Sequence, residues 1–471
     1  MVVHARTLEL YRQLGFGDTL LREGIPVKGA QMRQGGDTDG PGHELASFSF
    51  EGIGEQLSPY PTPLAYPQDD HERFLIKELE RDDIRVEWQT TLMGFTQRGS
   101  AVSATMAHRD GSTESVDAAY LAGCDGGHSV VRETLDVRFP GGTYPQLYYV
   151  VDCETDGGFE TDLIFNIGRE TFALLLPVRS RGVQRLIGLV PPDLPQRDDL
   201  TFDELRSRVE PLIGRRVTSV NWFSTYRVHH RVAEHFRVGR AFILGDAGHV
   251  HSPAGAQGMN TGIGDAMNLG WKLAMVLEGR ADDGLLDTYE SERIRFARKL
   301  VETTDRAFTQ AVAGGVKSEL VRRFLLPLVF SVGTSTAYGR RAAFRLISQI
   351  GIEYEDSALS EGKAGHVVAG DRLPWVADVD NFAPLTSLDW QVHVYGTATA
   401  GLQQVCKSLR LPIHCFTWTD SASDAGLRRD AVYLVRPDGY VGYDASAQAG
   451  DELSRYWNDH RLRMRDGSLA M

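Results

Sequence analysis

The sequence predicts an α/β fold built from two or three domains. Its 471 residues are too many for one compact core, because a typical domain has about 150 residues. A short apolar strand, a glycine-rich loop and a long amphipathic helix follow one another between residues 239 and 274. Residues 145 to 235 contain three β-rich stretches that predict a separate sheet. These features indicate strand and helix units beside a mainly β layer.

Local patterns predict the other elements in order. Apolar residues at helical spacing predict helices at Thr7 to Leu14, His71 to Glu80 and Gly262 to Glu278, with more helix to about Ile350. Short strands are expected between residues 31 and 67, and alternation then predicts the following strands: Ile84 to Trp88, Val102 to Met106, Ser115 to Leu121, Tyr148 to Cys153, Phe172 to Val178, Arg185 to Val190, Ala241 to Leu244, Gln391 to Tyr395 and Ala431 to Val435. The return to strands after about Ala369 predicts a small third domain.

Composition narrows the class of protein. With 42% hydrophobic and 24% charged residues the chain is ordinarily globular. The net charge of −13 argues against a nucleic-acid partner, whose phosphates would be repelled. No apolar run is long enough for a membrane span, and charges in the first ten residues argue against a signal peptide, so we expect a cytoplasmic protein. The four cysteines have no CxxC or metal-ligand spacing, and we expect reduced structural thiols and no metal site.

The segment from Gly239 to Ala274, GRAFILGDAGHVHSPAGAQGMNTGIGDAMNLGWKLA, carries the strongest motif. A strand ends at Gly245 and Asp246, and a helix begins near Thr261, which is typical of a ligand at the carboxyl end of a sheet. Asp246 can accept hydrogen bonds from a polyol, and the glycines of the loop allow a flat ligand to approach the backbone. The helix directs its free N–H groups and positive dipole end at that ligand.

This segment resembles the second FAD motif of the aromatic hydroxylases related to phenol hydroxylase and para-hydroxybenzoate hydroxylase. The resemblance implies that Asp246 binds the ribityl chain, that Pro253 lies beside the flavin ring and the substrate, and that the backbone from Gly258 to Asn260 meets the pyrimidine edge. Cys124 to Arg132 resembles the DG motif of the family, and Pro67 to Arg73 its Gln-x-x-x-x-Arg segment. The cofactor-binding residues implied by the resemblance are Arg6, Gln68, Asp125, Arg132, Gly245, Asp246, Gly258, Met259 and Asn260.

Each of the weaker motifs also has an ordinary structural interpretation. The sequence DGG is a common turn, and acids after Gln68 suit any helix N-terminus. Arg6 could equally be a solvated charge at a helix start. Tyr226 and His229 are named, with Pro253, as candidate catalytic residues, because a group that deprotonates a phenol is expected; packing roles are the alternative for both.

The family begins with a strand, G-x-G-x-x-G and a helix, and no G-x-G-x-x-G occurs in this sequence. We therefore expect about 40 to 50 residues, the size of such a unit, to be missing at the front. Either a misplaced start codon or a genuine truncation would explain this.

The resemblance implies an α/β fold with an FAD-binding Rossmann-like (GR2-type) domain, an inserted β-sheet substrate domain and a C-terminal thioredoxin-like domain. The expected ranges are 1–140 and 236–360 for the FAD-binding domain with part of the substrate layer, 141–235 for the substrate domain and 361–471 for the thioredoxin-like domain. Since the last domain lacks CxxC, we expect no disulfide chemistry from it and a role that is either structural or in dimerisation, and a homodimer is a further expectation.

The function implied is that of an FAD-dependent monooxygenase that uses NADPH or NADH and O2 to hydroxylate a small phenolic or polycyclic aromatic substrate through a flavin hydroperoxide. Three alternatives remain open: a truncated, non-catalytic remnant, a Baeyer–Villiger-type oxygenase on the same fold, and a flavin-dependent halogenase or reductase. The absence of a W-x-W-x-I-P segment disfavours a halogenase.

Overall fold

The structure is a computed structural model that describes residues 1–35, 42–168, 171–178, 182–252, 256–312 and 336–465. Its strands are β1 (Val2–Val3), β2 (Ile25–Pro26), β3 (Gly29–Gln34), β4 (Glu44–Ser49), β5 (Leu64–Ala65), β6 (Thr90–Arg98), β7 (Ala101–His108), β8 (Thr113–Ala118), β9 (Leu121–Gly123), β10 (Gly141–Thr155), β11 (Leu163–Ile167), β12 (Phe172–Pro177), β13 (Gln184–Leu189), β14 (Val217–Val232), β15 (Arg237–Val238), β16 (Ala241–Ile243), β17 (His249–Val250), β18 (Glu361–Gly362), β19 (Gln391–Tyr395), β20 (Ile413–Phe416), β21 (Val432–Val435) and β22 (Val441–Ala445).

The helices are α1 (Ala5–Gln13), α2 (Gly17–Glu23), α3 (Gln68–Arg81), α4 (Val130–Thr134), α5 (Phe202–Ile213), α6 (Gly258–Leu277), α7 (Asp287–Val312), α8 (Ala337–Ile347), α9 (Ala400–Leu409), α10 (Asp420–Asp424) and α11 (Gly450–Asp459). Among the described residues, none of them is long and apolar enough to cross a membrane. The helix predicted to continue towards Ile350 is found as α7 and α8, and residues 313–335 lie outside the described part.

An eight-stranded sheet forms the β layer, in the order β17-β14-β10-β13-β12-β11-β3-β4. It contains the three β-rich stretches expected between residues 145 and 235, which are confirmed as β10, β12 and β13. The sheet also takes β3 and β4 from the first fifty residues and β17 from the segment after Asp246. One continuous sheet thus connects the β layer with the predicted cofactor loop.

The two faces of this sheet have different partners because side chains alternate along each strand. Leu147, Tyr149 and Val151 of β10 are buried in one cluster with apolar residues of α5. Helix α5 starts with a capping box in which Glu204 accepts hydrogen bonds from the backbone N–H and the hydroxyl of Thr201. The opposite face, which carries Tyr148, is therefore left for other contacts.

The strand that leads to the glycine-rich loop is fully buried, as predicted. Strand β16 pairs in parallel with β9 and antiparallel with β15, and these three strands form one sheet among the described residues. The predicted helix over Gly262 to Glu278 is confirmed as α6, which starts four residues earlier. That a unit is missing before the first residue stays a prediction.

The strand predicted at Ile84 to Trp88 is wrong. These residues form no regular element, and the side chains of Ile84, Val86 and Trp88 are 53%, 40% and 70% exposed. Alternation describes only the side chains of a strand, whereas its backbone N–H and C=O groups also need a neighbouring strand. No strand of the described chain lies beside this segment.

The last hundred residues contain a five-stranded mixed sheet in the order β18-β22-β21-β19-β20. The strands expected at Gln391 to Tyr395 and Ala431 to Val435 are confirmed as β19 and β21. Trp390, Tyr456 and Trp457 are buried in the core between this sheet and its helices. A likeness of this region to thioredoxin, like the ranges assigned to the domains, stays a prediction.

Buried charges fix this C-terminal region to α6 and α7. Glu292 accepts hydrogen bonds from Arg436 at 2.8 and 3.0 Å and from Lys272 at 2.8 Å, and all three side chains are fully buried. Arg436 also pairs with Asp438 at 2.7 Å, and Asp438 accepts a hydrogen bond from the indole of Trp271. The helix that follows the cofactor loop is thus fixed at its far end.

Candidate active site

The turn after β16 packs directly against α6. Gly245 adopts a φ of +56°, which favours glycine, and a Cβ on Gly262 would lie only 3.3 Å from the Cα of Gly245. Asp246 follows in this turn with an exposed side chain that makes no hydrogen bond to any described residue. A carboxylate so placed is available to accept hydrogen bonds from a ligand.

The carboxylate of Asp265, a residue of α6, holds this turn in place. Its Oδ2 accepts hydrogen bonds from the backbone N–H of Gly245 at 3.0 Å and from Nε2 of His249 at 2.6 Å, and its Oδ1 is 2.6 Å from Nε of Arg293. Burial alone would raise the pKa of Asp265, but Arg293 and His249 together lower it, so the group is ionised.

Sequence reasoning missed both Asp265 and Arg293 as parts of the site. Asp265 stands three residues after Gly262 within the recognised motif, and this position was the available signal. Arg293 lies outside every motif, in α7, and only the fold brings it to the turn.

Helix α6 begins with free backbone donors. Its N-cap residue, Gln257, makes no side-chain cap, and the N–H groups of residues 258–260 have no acceptor among the described residues. A Cβ on Gly258 would meet only the imidazole of His251, with Nε2 at 3.6 Å, so the backbone can be approached closely. Donors at a helix N-terminus suit a ligand with a carbonyl or negative edge.

These features fit a flavin with its ribityl chain. The exposed carboxylate of Asp246 matches a polyol, and the free donors of α6 match the electron-rich edge of the ring. Gly245, Asp246 and Gly258 are therefore brought together as predicted, although their contacts with FAD stay a proposal.

The side chain of Asn260 is fully used in hydrogen bonds within the protein. Its Oδ1 accepts hydrogen bonds from the backbone N–H of His4 at 2.9 Å and the hydroxyl of Thr7 at 2.8 Å, and its Nδ2 donates to the carbonyl oxygen of Val2 at 2.9 Å. Only its backbone N–H is left for a ligand. Met259 belongs to an apolar cluster around α1, so the structure likewise offers its backbone.

Arg6 contacts the C-terminal region. It is buried, donates to the backbone oxygen of Asp438 at 2.6 Å, pairs with Glu9 at 3.3 Å and lies 4.9 Å from the ring centre of Tyr440. The interpretation as a solvated charge is wrong, since these partners surround it. None of its contacts reaches the Gly245 turn, and a role at the cofactor stays a prediction.

The DG motif is joined to the same turn. Arg132 donates to the carbonyl oxygens of Ala247 at 2.8 Å and Gly127 at 2.9 Å, which links the two loops. Asp125 is exposed, and its carboxylate accepts a hydrogen bond from the backbone N–H of Val131 at 3.0 Å. The structure thus brings the second motif to the first, with Arg132 as the connecting side chain.

Gln68 lies at the first turn of α3. Its exposed side chain donates to Glu72 at 2.9 Å, and the neighbouring acids Asp69 and Asp70 pair with Arg73. These are the contacts of an ordinary helix N-terminus. The predicted hydrogen bond from Gln68 to flavin stays a prediction.

An aromatic wall, which we define as Tyr144, Tyr148, Phe165, Phe172 and Tyr226, covers the face of the eight-stranded sheet opposite α5. Tyr148 lies 5.6 Å from Tyr226 and 6.5 Å from Phe172, measured between ring centres, and Phe165 stacks on Phe172 at 5.1 Å. Pairing across the strands places these rings on one face with Ala30 and Leu163.

The N-terminal part of α6 and this face of the sheet border one apolar cluster. Met259 and Ile263 of α6 pack against the same cluster as Ala30 of β3 and Leu163 of β11. The free donors of α6 and the aromatic wall therefore border a common region. This arrangement can hold a flat ring between a cofactor and a sheet.

The three candidate catalytic residues are placed differently. Tyr226 belongs to the aromatic wall, and burial raises the pKa of its hydroxyl to about 12. His229, an odd number of residues further along β14, points to the opposite face, where its Nδ1 lies 2.7 Å from the hydroxyl of Thr143; burial lowers its pKa. Pro253 lies outside the described residues.

Comparisons with known proteins identify the family of the chain. The family model described as FAD binding domain matches residues 1–304. A flavin-dependent monooxygenase of Mycobacteroides abscessus is 33% identical over 459 residues, which cover 93% of this chain and 87% of that protein. The 6-methylpretetramide 4-monooxygenase of Streptomyces rimosus is 33% identical over 388 residues, which cover 78% of this chain and 67% of that protein.

Solved structures share the fold. The flavin-dependent monooxygenase PieE, in complex with FAD and substrate, matches with a TM-score of 0.80 and 21% identity over 98% of this chain and 91% of that chain. The substrate-free rebeccamycin biosynthetic enzyme RebC matches with a TM-score of 0.75 and 26% identity over the same shares. This flavin-dependent enzyme, whose cofactor is FAD, belongs to the aromatic hydroxylases of the class A flavoprotein monooxygenases.

Proposed function

We propose that the chain hydroxylates a phenolic or polycyclic aromatic substrate, with NADPH or NADH as the reductant and O2 as the oxygen source. The aromatic wall carries this proposal. Its rings lie on a sheet face that borders the same apolar cluster as the start of α6, and π faces attract flat aromatic ligands. The Streptomyces relative, a 6-methylpretetramide monooxygenase by name, gives independent support.

Bound FAD supplies the redox chemistry, in which one atom of O2 enters the substrate and the other leaves as water. The protein binds the cofactor and shields the reacting atoms from water. Asp246 accepts hydrogen bonds from ligand hydroxyls, and the N–H groups at the start of α6 stabilise negative charge on the ring edge. The aromatic wall excludes water from the reacting atoms.

Tyr226 orients the substrate in this proposal. With a pKa near 12 its hydroxyl keeps its proton at physiological pH, so it donates or accepts a hydrogen bond and does not act as an ionised base. His229 faces away from the wall, and we assign it no contact with the substrate. A cytoplasmic location and a homodimer belong to the same proposal, and light scattering after gel filtration measures the second.

Oxygen consumption tests the substrate class. The FAD-loaded chain is assayed with NADPH and NADH over a panel of phenols, hydroxyanthraquinones and aliphatic ketones. Fast consumption with hydroxylated rings and slow consumption without substrate are expected. Stimulation by ketones alone, with oxygen inserted into a C–C bond, would replace hydroxylation by Baeyer–Villiger chemistry, and no stimulation would support the non-catalytic remnant.

A further inference from the structure

His251 presents a buried nitrogen beside the start of α6, and no described residue pairs with it. Its Nδ1 lies 2.8 Å from the carbonyl oxygen of Ser252, which can only accept, so Nδ1 carries the proton. Burial lowers the pKa of His251, and the ring is therefore neutral at physiological pH. In that tautomer Nε2 is a hydrogen-bond acceptor, and it is buried without a hydrogen-bond partner among the described residues.

This acceptor lies close to Gly258, the first residue of α6. Nε2 lies 3.6 Å from the place that a Cβ on Gly258 would occupy. The free N–H donors of α6 begin at the same residue. The next residue, Ser252, is 1% exposed, and its hydroxyl is a second buried group that has no partner in the described part of the chain. Native proteins rarely leave such groups unpaired unless a ligand or water completes them.

One acceptor with adjacent donors on the protein fits a ligand whose edge carries a donor beside an acceptor. The pyrimidine edge of a flavin ring carries an imide N–H between two carbonyl groups, which is one donor flanked by two acceptors. A lone hydroxyl would need no such combination. The protein offers a matching pair of groups, with the imidazole as acceptor and the neighbouring helix N–H groups as donors.

We propose that Nε2 of His251 accepts a hydrogen bond from the imide N–H of the flavin, while the first N–H groups of α6 donate to a carbonyl beside it. His251 is then a positioning residue that fixes the rotation of the ring in its plane. The proposal rests on FAD binding alone and is independent of the substrate class proposed above.

A methylated flavin tests this contact without any activity assay. 3-Methylriboflavin carries a methyl group where riboflavin has the imide hydrogen, so it cannot donate the proposed hydrogen bond, and both compounds lack the adenosine diphosphate part of FAD. Their dissociation constants are measured by quenching of flavin fluorescence with the full chain, His251→Leu, His251→Gln and the control His366→Leu, an exposed histidine in the C-terminal region.

The wild-type chain is expected to bind riboflavin roughly tenfold more tightly than 3-methylriboflavin. His251→Leu should bind the two equally, His251→Gln should restore part of the preference through its amide oxygen, and His366→Leu should keep all of it. Absence of the preference in the wild-type chain, which needs no variant to fold, would overturn the proposal. So would a preference that survives undiminished in His251→Leu, because the methylated flavin would then be rejected by its bulk or by another acceptor, and not through Nε2 of His251.

Discussion

The carboxylate of Asp265 and the guanidinium of Arg293 form an ion pair at 2.6 Å, and both side chains are at most 2% exposed. Arg293 also donates to the hydroxyl of Tyr354 at 2.9 Å and to the backbone oxygen of Thr261 at 3.1 Å. Since the other oxygen of Asp265 holds the N–H of Gly245, the pair connects α7 to the turn that presents Asp246. The turn is thus supported by a helix that no motif marks.

Asp265→Asn should destabilise the protein by about 3–5 kcal/mol, because it leaves Arg293 as an uncompensated buried charge. The free energy of unfolding is measured in urea. Asp69→Asn is the matched control, since its pair with Arg73 is exposed and should contribute about 0–1 kcal/mol. Equal losses in the two variants would contradict the role given to the buried pair.

Acid should destabilise the protein through His71. Burial lowers its pKa to about 4 from the usual 6.5, while Nε2 lies 2.9 Å from the hydroxyl of Tyr11. Between these pH values the unfolded chain binds a proton that the folded chain excludes, so stability falls as the pH decreases from about 6.5 to 4. Between pH 7.5 and 5 the wild-type chain should lose about 2 kcal/mol more than His71→Gln, which does not titrate. The same loss in both chains in urea titrations would exclude His71 as the cause.

Asp246→Ala should weaken FAD binding more than Asp70→Ala. The carboxylate of Asp246 has no hydrogen-bond partner among the described residues, and loss of a ligand hydrogen bond costs about 1–3 kcal/mol, or up to roughly a hundredfold in affinity. Asp70 pairs with Arg73 on α3, where a charge contributes about 0.3–1 kcal/mol to its own helix. Flavin fluorescence gives both dissociation constants, and equal values would exclude Asp246 from the cofactor site.

Tyr226→Phe and His229→Ala should separate the two catalytic candidates. Removal of the Tyr226 hydroxyl takes a hydrogen-bonding group from the aromatic wall, so KM for the aromatic substrate should rise about fivefold to tenfold. His229→Ala should leave KM unchanged, since the imidazole points to the other face of β14. Steady-state kinetics with the substrate found in the panel decides, and the reverse result would mean that the pocket lies on the other face.

Local sequence patterns were sufficient to predict those elements that are determined by neighbouring residues in the chain. The strand β16, the glycine turn and α6 follow from burial, glycine positions and helical spacing, and the structure confirms them. The roles of Arg6 and Asn260 could not be predicted in this way. Asn260 binds the backbone of His4, 256 residues away, and Arg6 reaches Asp438, 432 residues away.

The errors have the same physical origin. Ile84 to Trp88 has the alternation of a strand, but a strand also depends on a neighbour that the local sequence does not contain. His251 was passed over because a histidine in a loop gives no sign of an unpaired nitrogen. Only the burial of Nε2 beside Gly258 reveals it.

The source of the inserted oxygen tests the central claim most directly. The chain loaded with FAD is incubated with NADPH and the best aromatic substrate of the panel under 18O2 in ordinary water. The mass of the product is then measured by mass spectrometry. A monooxygenase should give a hydroxylated ring that carries one 18O atom, with one NADPH consumed for each product. A product with oxygen from water, or NADPH oxidation that yields only hydrogen peroxide, would contradict the account.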